Sequence, residues 1–364
     1  MKRKNINIIK IIYALSISFM FLTSANAGKV KEAILLTDLS SEELTNHHKR
    51  RYSKWAEELN LEKEADVYSF HNENTFERLF PSYLKSSQDY EDKSFYAGQI
   101  SSVWGNNGVG TGILLDVGEF SGSVRAIGIT AMHNFVSIKD EVTVISPKFT
   151  KQFFLGAKSV VGEDVDNYGT MKIDKVLVQR IPSKDICLFE GTISPNSKHF
   201  WARDGVFRPE DAKQEDIVTD FISSFIANKP EIVEKEIIIN NENCKMYHYP
   251  FGKRNQRKNE GTIFHSGKHQ IRSLFGSSGA SIFNEQFQIV GIHRGFDLTA
   301  LKDKVVEISE GDIPVVEYNS FVKVSKSDYD SILREGVDLY GGDIKEDFIH
   351  SLSQFAAENL KDYD

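Results

Sequence analysis

Two cysteines in 364 residues leave no room for a disulfide framework of the kind that staples small exported proteins. Cys187 and Cys244 each stand in a strand-like run, DICLFEG and NENCKMYHYP, where a lone cysteine behaves as a small buried hydrophobe. Two free thiols are expected. Proline is scarce, at eight residues, and no internal repeat or low-complexity segment is present, which excludes a fibrous or disordered chain. Positive charge is also short: 44 Lys and Arg stand against 52 Asp and Glu, a net −8. Nucleic acid is therefore not an expected partner, because phosphate binding needs a basic face. What remains is 40% hydrophobic and 26% charged, rich in Val, Ile, Phe and Tyr, as in a globular protein built of strands.

The one long apolar run is at the N-terminus. Lys2, Arg3 and Lys4 precede IIYALSISFMFL, and Ala25-Asn26-Ala27 places small residues where a signal peptidase reads them. Lys10 interrupts the run, which falls short of the roughly 20 apolar residues of a spanning helix. A signal peptide over 1–27 is expected, hence an exported chain, secreted or periplasmic, with no stable membrane insertion after cleavage. The remainder would carry 40 basic against 52 acidic residues, a net −12.

From 28 to 92 the text is charged and helical. Ser40 with Glu43 three residues on has the form of a capping box. This stretch reads as a helical N-terminal extension or a pro-segment. From about 93 the period shortens. YAGQISSVWG, GTGILLDVG, VRAIGITAM, EVTVISP, GTMKIDKVLVQRI and DICLFEGTI are short β-prone runs broken by turn residues, and a second set follows after a polar, partly helical interval (196–230). Such spacing predicts an all-β body over 93–325, barrel or sandwich. The tail, 326–364, reads as amphipathic helices, with Phe348, Leu352, Phe355 and Leu360 on or near one face.

Three stretches carry chemistry. In SLFGSSGASIF, Gly276 and Ser278 can turn their amides inward, and Gly279 leaves room for a bound molecule. A serine hydroxyl is a weak nucleophile until a base lies in reach and an acid orients that base. On its own GSSG is more often a turn. In IGITAMHNF, His133 ends an apolar strand. In PSKDICLFEG, Asp185 opens an apolar run, at the lip of a core, where its carboxylate is able to accept from an imidazole; its plain reading is a turn aspartate. His265 and His269 in HSGKH lie four apart but lack a helix and an intervening Glu, so no metal site is expected.

TAMH, DICL and GSSG, in that order, closely resemble the signatures of the chymotrypsin-fold serine peptidases, T-A-x-H, D-[IL]-A-L and G-x-S-G. The spacings of 52 and 93 residues suit one barrel that supplies His133 and Asp185 and a second that supplies Ser278. The resemblance runs from about Tyr96 to Val324. It implies an all-β fold of two antiparallel Greek-key barrels and a serine endopeptidase acting on polypeptide. Its triad would be His133, Asp185 and Ser278, its oxyanion hole the amides of Gly276 and Ser278, and no cofactor or metal is implied. The sequence leaves the oligomeric state open, with a monomer favoured.

Within that family the chain is most similar to the bacterial glutamyl endopeptidase branch. Where trypsin-like members carry an acid, six residues before the nucleophile, this chain has Arg272; Ser273 and His293 match donors which in that branch meet a substrate carboxylate. The implied preference is for Glu or Asp at P1. Phe296 and Arg294 depart from the branch. Ser277 stands where trypsin-type activation needs an Asp, so that ion pair is not available. An α/β-hydrolase is excluded, because Ala280 breaks G-x-S-x-G and the order of the three groups is wrong. The rival reading is a catalytically silent, peptidase-like binding module.

Overall fold

The computed structural model describes residues 96–102, 108–139, 142–148, 150–156, 169–195, 214–236, 241–249, 256–264, 266–271, 273, 276–296, 319–342 and 344–360. All of them belong to one compact unit. The expected signal peptide, 1–27, and the helical extension, 28–92, lie outside the described residues.

Apolar alternation makes the strands. Strand β7 (Gly169–Val178) buries Gly169, Met171 and Ile173, then Val176 and Val178. The slip in that alternation is a bulge, for the pairing with β8 (Cys187–Pro195) shifts between Ile173 and Lys175. Asp174 and Lys175 are thereby turned outward, where they meet Arg125 at 2.7 Å and Glu190 at 3.1 Å.

Six strands close the first barrel. β1 (Ala97–Ser102), β2 (Gly108–Phe120) and β3 (Ser123–Thr130) lie side by side, β3 pairs with β8, and β7 and β6 (Lys151–Leu155) complete the ring back to β1. A small hairpin, β4 (Val136–Lys139) and β5 (Val142–Ile145), sits between β3 and β6 in the chain. Ile100, Ile113, Ile129, Phe153, Met171 and Phe189 fill the interior, each fully buried.

The second barrel repeats the winding. β10 (Glu242–His248), β11 (Arg257–Phe264) and β12 (Lys268–His269) are neighbours. β15 (Asn319–Lys323), β14 (Gln288–Phe296) and β13 (Ser281–Phe283) run back to β10, every pairing antiparallel. In both rings the first three strands are followed by the last three in reverse, the double Greek-key barrel of the chymotrypsin-like fold. Closure satisfies the backbone without open edges. A two-residue strand, β9 (Glu231–Ile232), adds to β14 in parallel.

Three helices dress the barrels. α1 (Gln214–Asn228) packs on β2, β3 and β8 through Ile217, Val218, Phe221 and Phe225. Its Phe225 ring stands edge-on to Tyr96, with centroids 4.6 Å apart. In the tail, α2 (Lys326–Glu335) begins where Asp328 accepts from the amide and hydroxyl of Ser325. α3 (Glu346–Asn359) packs on the β4–β5 hairpin and buries Phe348, Leu352 and Phe355, with Leu360 buried just past its end, the face read from the sequence. Between the helices lies a short strand, β16 (Val337–Asp338), that pairs with β7; a purely helical reading of the tail did not include it. Cys187 and Cys244 are buried, free thiols.

Candidate active site

β3 ends at Thr130, and the chain then makes a single 3-10 turn, Met132–Asn134. Met132 and Asn134 point into the core, so His133 between them is turned to the rim. Asp185 precedes Ile186 and Cys187, which enter the first barrel's core and draw the carboxylate under the surface with them. The two residues meet at two points. His133 Nδ1 lies 2.7 Å from Asp185 Oδ2, and the His133 amide donates to Oδ1 at 3.0 Å. An ionised carboxylate only accepts, so Nδ1 carries the proton and Nε2 is the basic atom of the ring.

Burial alone would raise the pKa of Asp185. The charge and hydrogen bond of His133, then the guanidinium of Arg294 and the His133 amide, outweigh burial and hold it down at about 2. Arg294 Nε donates to Asp185 Oδ2 at 3.2 Å. This contact had no sequence signal beyond an unusual residue after His293.

Ser278 lies in the turn before β13, held from the first barrel. Its carbonyl accepts from Thr111 N at 2.8 Å and from Asn134 Nδ2 at 3.0 Å, so the Ser278 turn is tied to the residue next to His133. Thr111 Oγ1 also donates to the carbonyl of Gly276 at 2.8 Å, while the Tyr249 amide donates to Thr111 Oγ1 at 3.1 Å. The approach is close enough to require glycine. Gly279 has φ +87°, and a Cβ there would come within 2.0 Å of Thr130 Oγ1. Thr111 and Asn134 were missed in the sequence because nothing local sets such residues apart.

The Ser278 hydroxyl donates to the carbonyl of Arg294 at 3.0 Å and is not hydrogen-bonded to the His133 ring. Gly276 also has a positive φ, 84°. Among the described residues, no group engages the amides of Gly276 and Ser278.

The remaining predicted residues divide. Arg272 lies outside the described residues, as does the side chain of Phe296. Ser273 is buried, and its hydroxyl has no partner among the described residues. His293 is buried on β14, and its Nδ1 lies 2.9 Å from His269 Nε2. The Ile271 amide donates to His269 Nδ1 at 3.1 Å, which places the His269 proton on Nε2 and makes His293 Nδ1 the acceptor. His293 is thereby left with a proton on Nε2, a neutral donor. Desolvation, reinforced by the neighbouring histidines, holds its pKa well below the usual value, and burial brings His269 down to about 3. A third buried histidine, His248, lies 2.7 Å from Ser277 Oγ and 2.9 Å from Asn259 Oδ1, and burial lowers its pKa to about 4. The sequence offered no sign of His248 or Asn259, and His269 was weighed only as a metal ligand. Among the described residues no group of three metal-ligating side chains is found.

No family model matches the chain, and no curated protein matches it. Solved structures are similar at low identity. A Glu endopeptidase in complex with MPD is 15% identical with a TM-score of 0.37, covering 66% of this chain and 89% of its own. The Rv3671c protease of M. tuberculosis in its inactive form is 12% identical with a TM-score of 0.34, covering 66% of this chain and 88% of its own. Its active form gives the same identity and TM-score over 67% and 81%. At these values the strand order of the chain itself, not the likeness, defines the fold.

Proposed function

We propose that this chain is an exported serine endopeptidase that works through His133, Asp185 and Ser278. The observation that carries the reading is the two-point bond of His133 to a buried, ionised Asp185, with the turn of Ser278 pinned to the next residue of the same histidine. The reading requires that rotation of Ser278 about Cα–Cβ, a motion between staggered wells, carry its hydroxyl from the Arg294 carbonyl to the basic nitrogen of His133. His133 then removes the hydroxyl proton as Oγ bonds to the scissile carbonyl carbon. The oxyanion formed is met by the amides of Gly276 and Ser278, and loss of one such donor typically costs about 3 kcal/mol. The imidazolium, stabilised by Asp185, returns the proton to the leaving amine as the C–N bond breaks. Water, activated by the same imidazole, releases the acid.

The buried Ser273 hydroxyl and the Nε2–H of His293 support a preference for Glu or Asp at P1, since both are desolvated donors that a carboxylate is able to satisfy. The observation favouring a silent binding module is the engagement of the Ser278 hydroxyl by a carbonyl.

A serine-directed fluorophosphonate separates the two. Labelling of the processed wild type is expected, with loss in Ser278→Ala and His133→Ala and a fall in kcat of about 10⁶ in either variant. No labelling of processed protein favours the binding module. A peptide library cut by the same preparation reads P1, and cleavage mainly after Lys or Arg overturns the acidic preference.

A further inference from the structure

We propose that Arg294 is a positioning residue for the His133–Asp185 pair, held at its post by the end of the C-terminal helix. This rests on the peptidase reading above. Three contacts carry it. Arg294 Nε donates to Asp185 Oδ2 at 3.2 Å, the same oxygen that faces His133 Nδ1. One terminal nitrogen of the same guanidinium donates to the carbonyl of Asn359, the last residue of α3, at 2.7 Å. The carbonyl of Arg294 receives the Ser278 hydroxyl. One residue thus touches the acid, the nucleophile and the tail.

Each partner is suited to a cation. Asp185 is fully buried, and a desolvated carboxylate gains most from a neighbouring charge. The final carbonyls of a helix lack internal donors and carry its negative end. A planar guanidinium has donors on both sides, so it bridges two acceptors that a single ammonium point does not span equally well. The tail also braces the same loop from outside, where Lys184 pairs with Asp328 of α2 at 2.8 Å and contacts Glu236.

The other groups near Asp185 do not duplicate this charge. Lys184 is turned to its two carboxylates. The Cys187 thiol is pushed up by burial and stays neutral, while His293 is held neutral. Lys151 donates to the carbonyl of Asn134, with its nitrogen 5.2 Å over the Phe135 ring, and Tyr340 is raised by burial and uncharged. Among the described residues the only cation bonded to Asp185 besides the His133 ring is therefore Arg294.

The consequence is specific. Arg294 shares the Asp185 oxygen that faces His133 Nδ1, so its charge competes with an imidazolium for that carboxylate while fixing it in place. Removing it should make the imidazole easier to protonate. Histidine-labelled full-length protein followed by NMR reads this directly, with the His133 signal assigned by its absence in His133→Ala. In Arg294→Gln the His133 titration midpoint should rise by about one pH unit, and the acid limb of fluorophosphonate labelling should move with it. In Arg294→Lys the rise should be a few tenths of a unit, because the charge is kept and the bridge to Asn359 is lost. A folded Arg294→Gln protein with an unmoved midpoint overturns the proposal. Should that variant not fold, an unmoved midpoint in Arg294→Lys does the same. The NMR titration needs no turnover, so a wild type that fails to label sinks the peptidase reading while the midpoint still tests Arg294.

Discussion

The two barrels share one winding and differ in what fills them. The first is packed with hydrocarbon and aromatic side chains, among them Phe153 and Phe189, whose rings lie 5.1 Å apart. The second has a smaller apolar cluster, around Met246, Ile263, Ile282 and Phe321, and carries three buried histidines with Asn259, Asn319 and Ser277. Under the proposed function the first barrel has only to present His133 and Asp185 at its rim, and its interior is largely apolar, with Gln99, Thr111 and Thr130 among its buried polar groups. The second barrel keeps hydrogen bonds inside, His248 to Ser277 and Asn259 and His269 to His293, since each buried polar group needs a partner. The same topology thus holds a largely apolar interior on one side of the seam and a buried polar network on the other.

The sharpest way to break this comparison is through the first barrel's packing. Phe189→Ala should lower stability by about 3–5 kcal/mol in urea unfolding, because the fully buried ring presses against Gly128 and Gly112 and its loss leaves a cavity in the core. A loss below about 1 kcal/mol would show that this core is no better packed than its partner.

The second barrel should respond to acid instead. His248 has its folded pKa, about 4, below the unfolded value near 6.5, so between these limits the unfolded chain binds more protons. Stability should therefore fall as pH drops from about 6.5 to 4, by about 3 kcal/mol from this residue. His248→Gln should flatten the slope in denaturant titrations taken across that window. Asp185 acts in a different range: its carboxylate is depressed, so its contribution is intact above about 4 and is lost as pH falls through about 2.

The smallest expected effect tests the seam. Thr111→Val removes a hydroxyl that donates to Gly276 and accepts from Tyr249, leaving two backbone groups without partners. A loss of about 1–2 kcal/mol is expected, with a lower labelling rate at Ser278. Unchanged labelling would mean that the Ser278 turn holds its shape without the first barrel.

Much of this was legible because it is local. Alternation marked the strands, and the bulge in β7 changed its phase without hiding it. The face of α3 that buries Phe348, Leu352 and Phe355 repeats at helical spacing. His133 and Asp185 stood out because each sits where an apolar run meets its end. The repeated winding was carried by the motif resemblance and not by periodicity, since two barrels of one topology need share no residue pattern. The partnership of Arg294 did not show either: its contacts with Asp185 and Asn359 span 109 and 65 positions.

The order of the chain, then, settled by itself where most of the strands lie and which side chains turn inward, because those follow from periodicity within a few residues, while the grouping of His133, Asp185 and Ser278 came from the resemblance of three short motifs. Which oxygen each donor reaches, which way each buried imidazole carries its proton and what stands behind Asp185 were decided only when barrels and tail had packed. Hydrogen bonds depend on angstroms between distant segments, and no short window of sequence contains that distance.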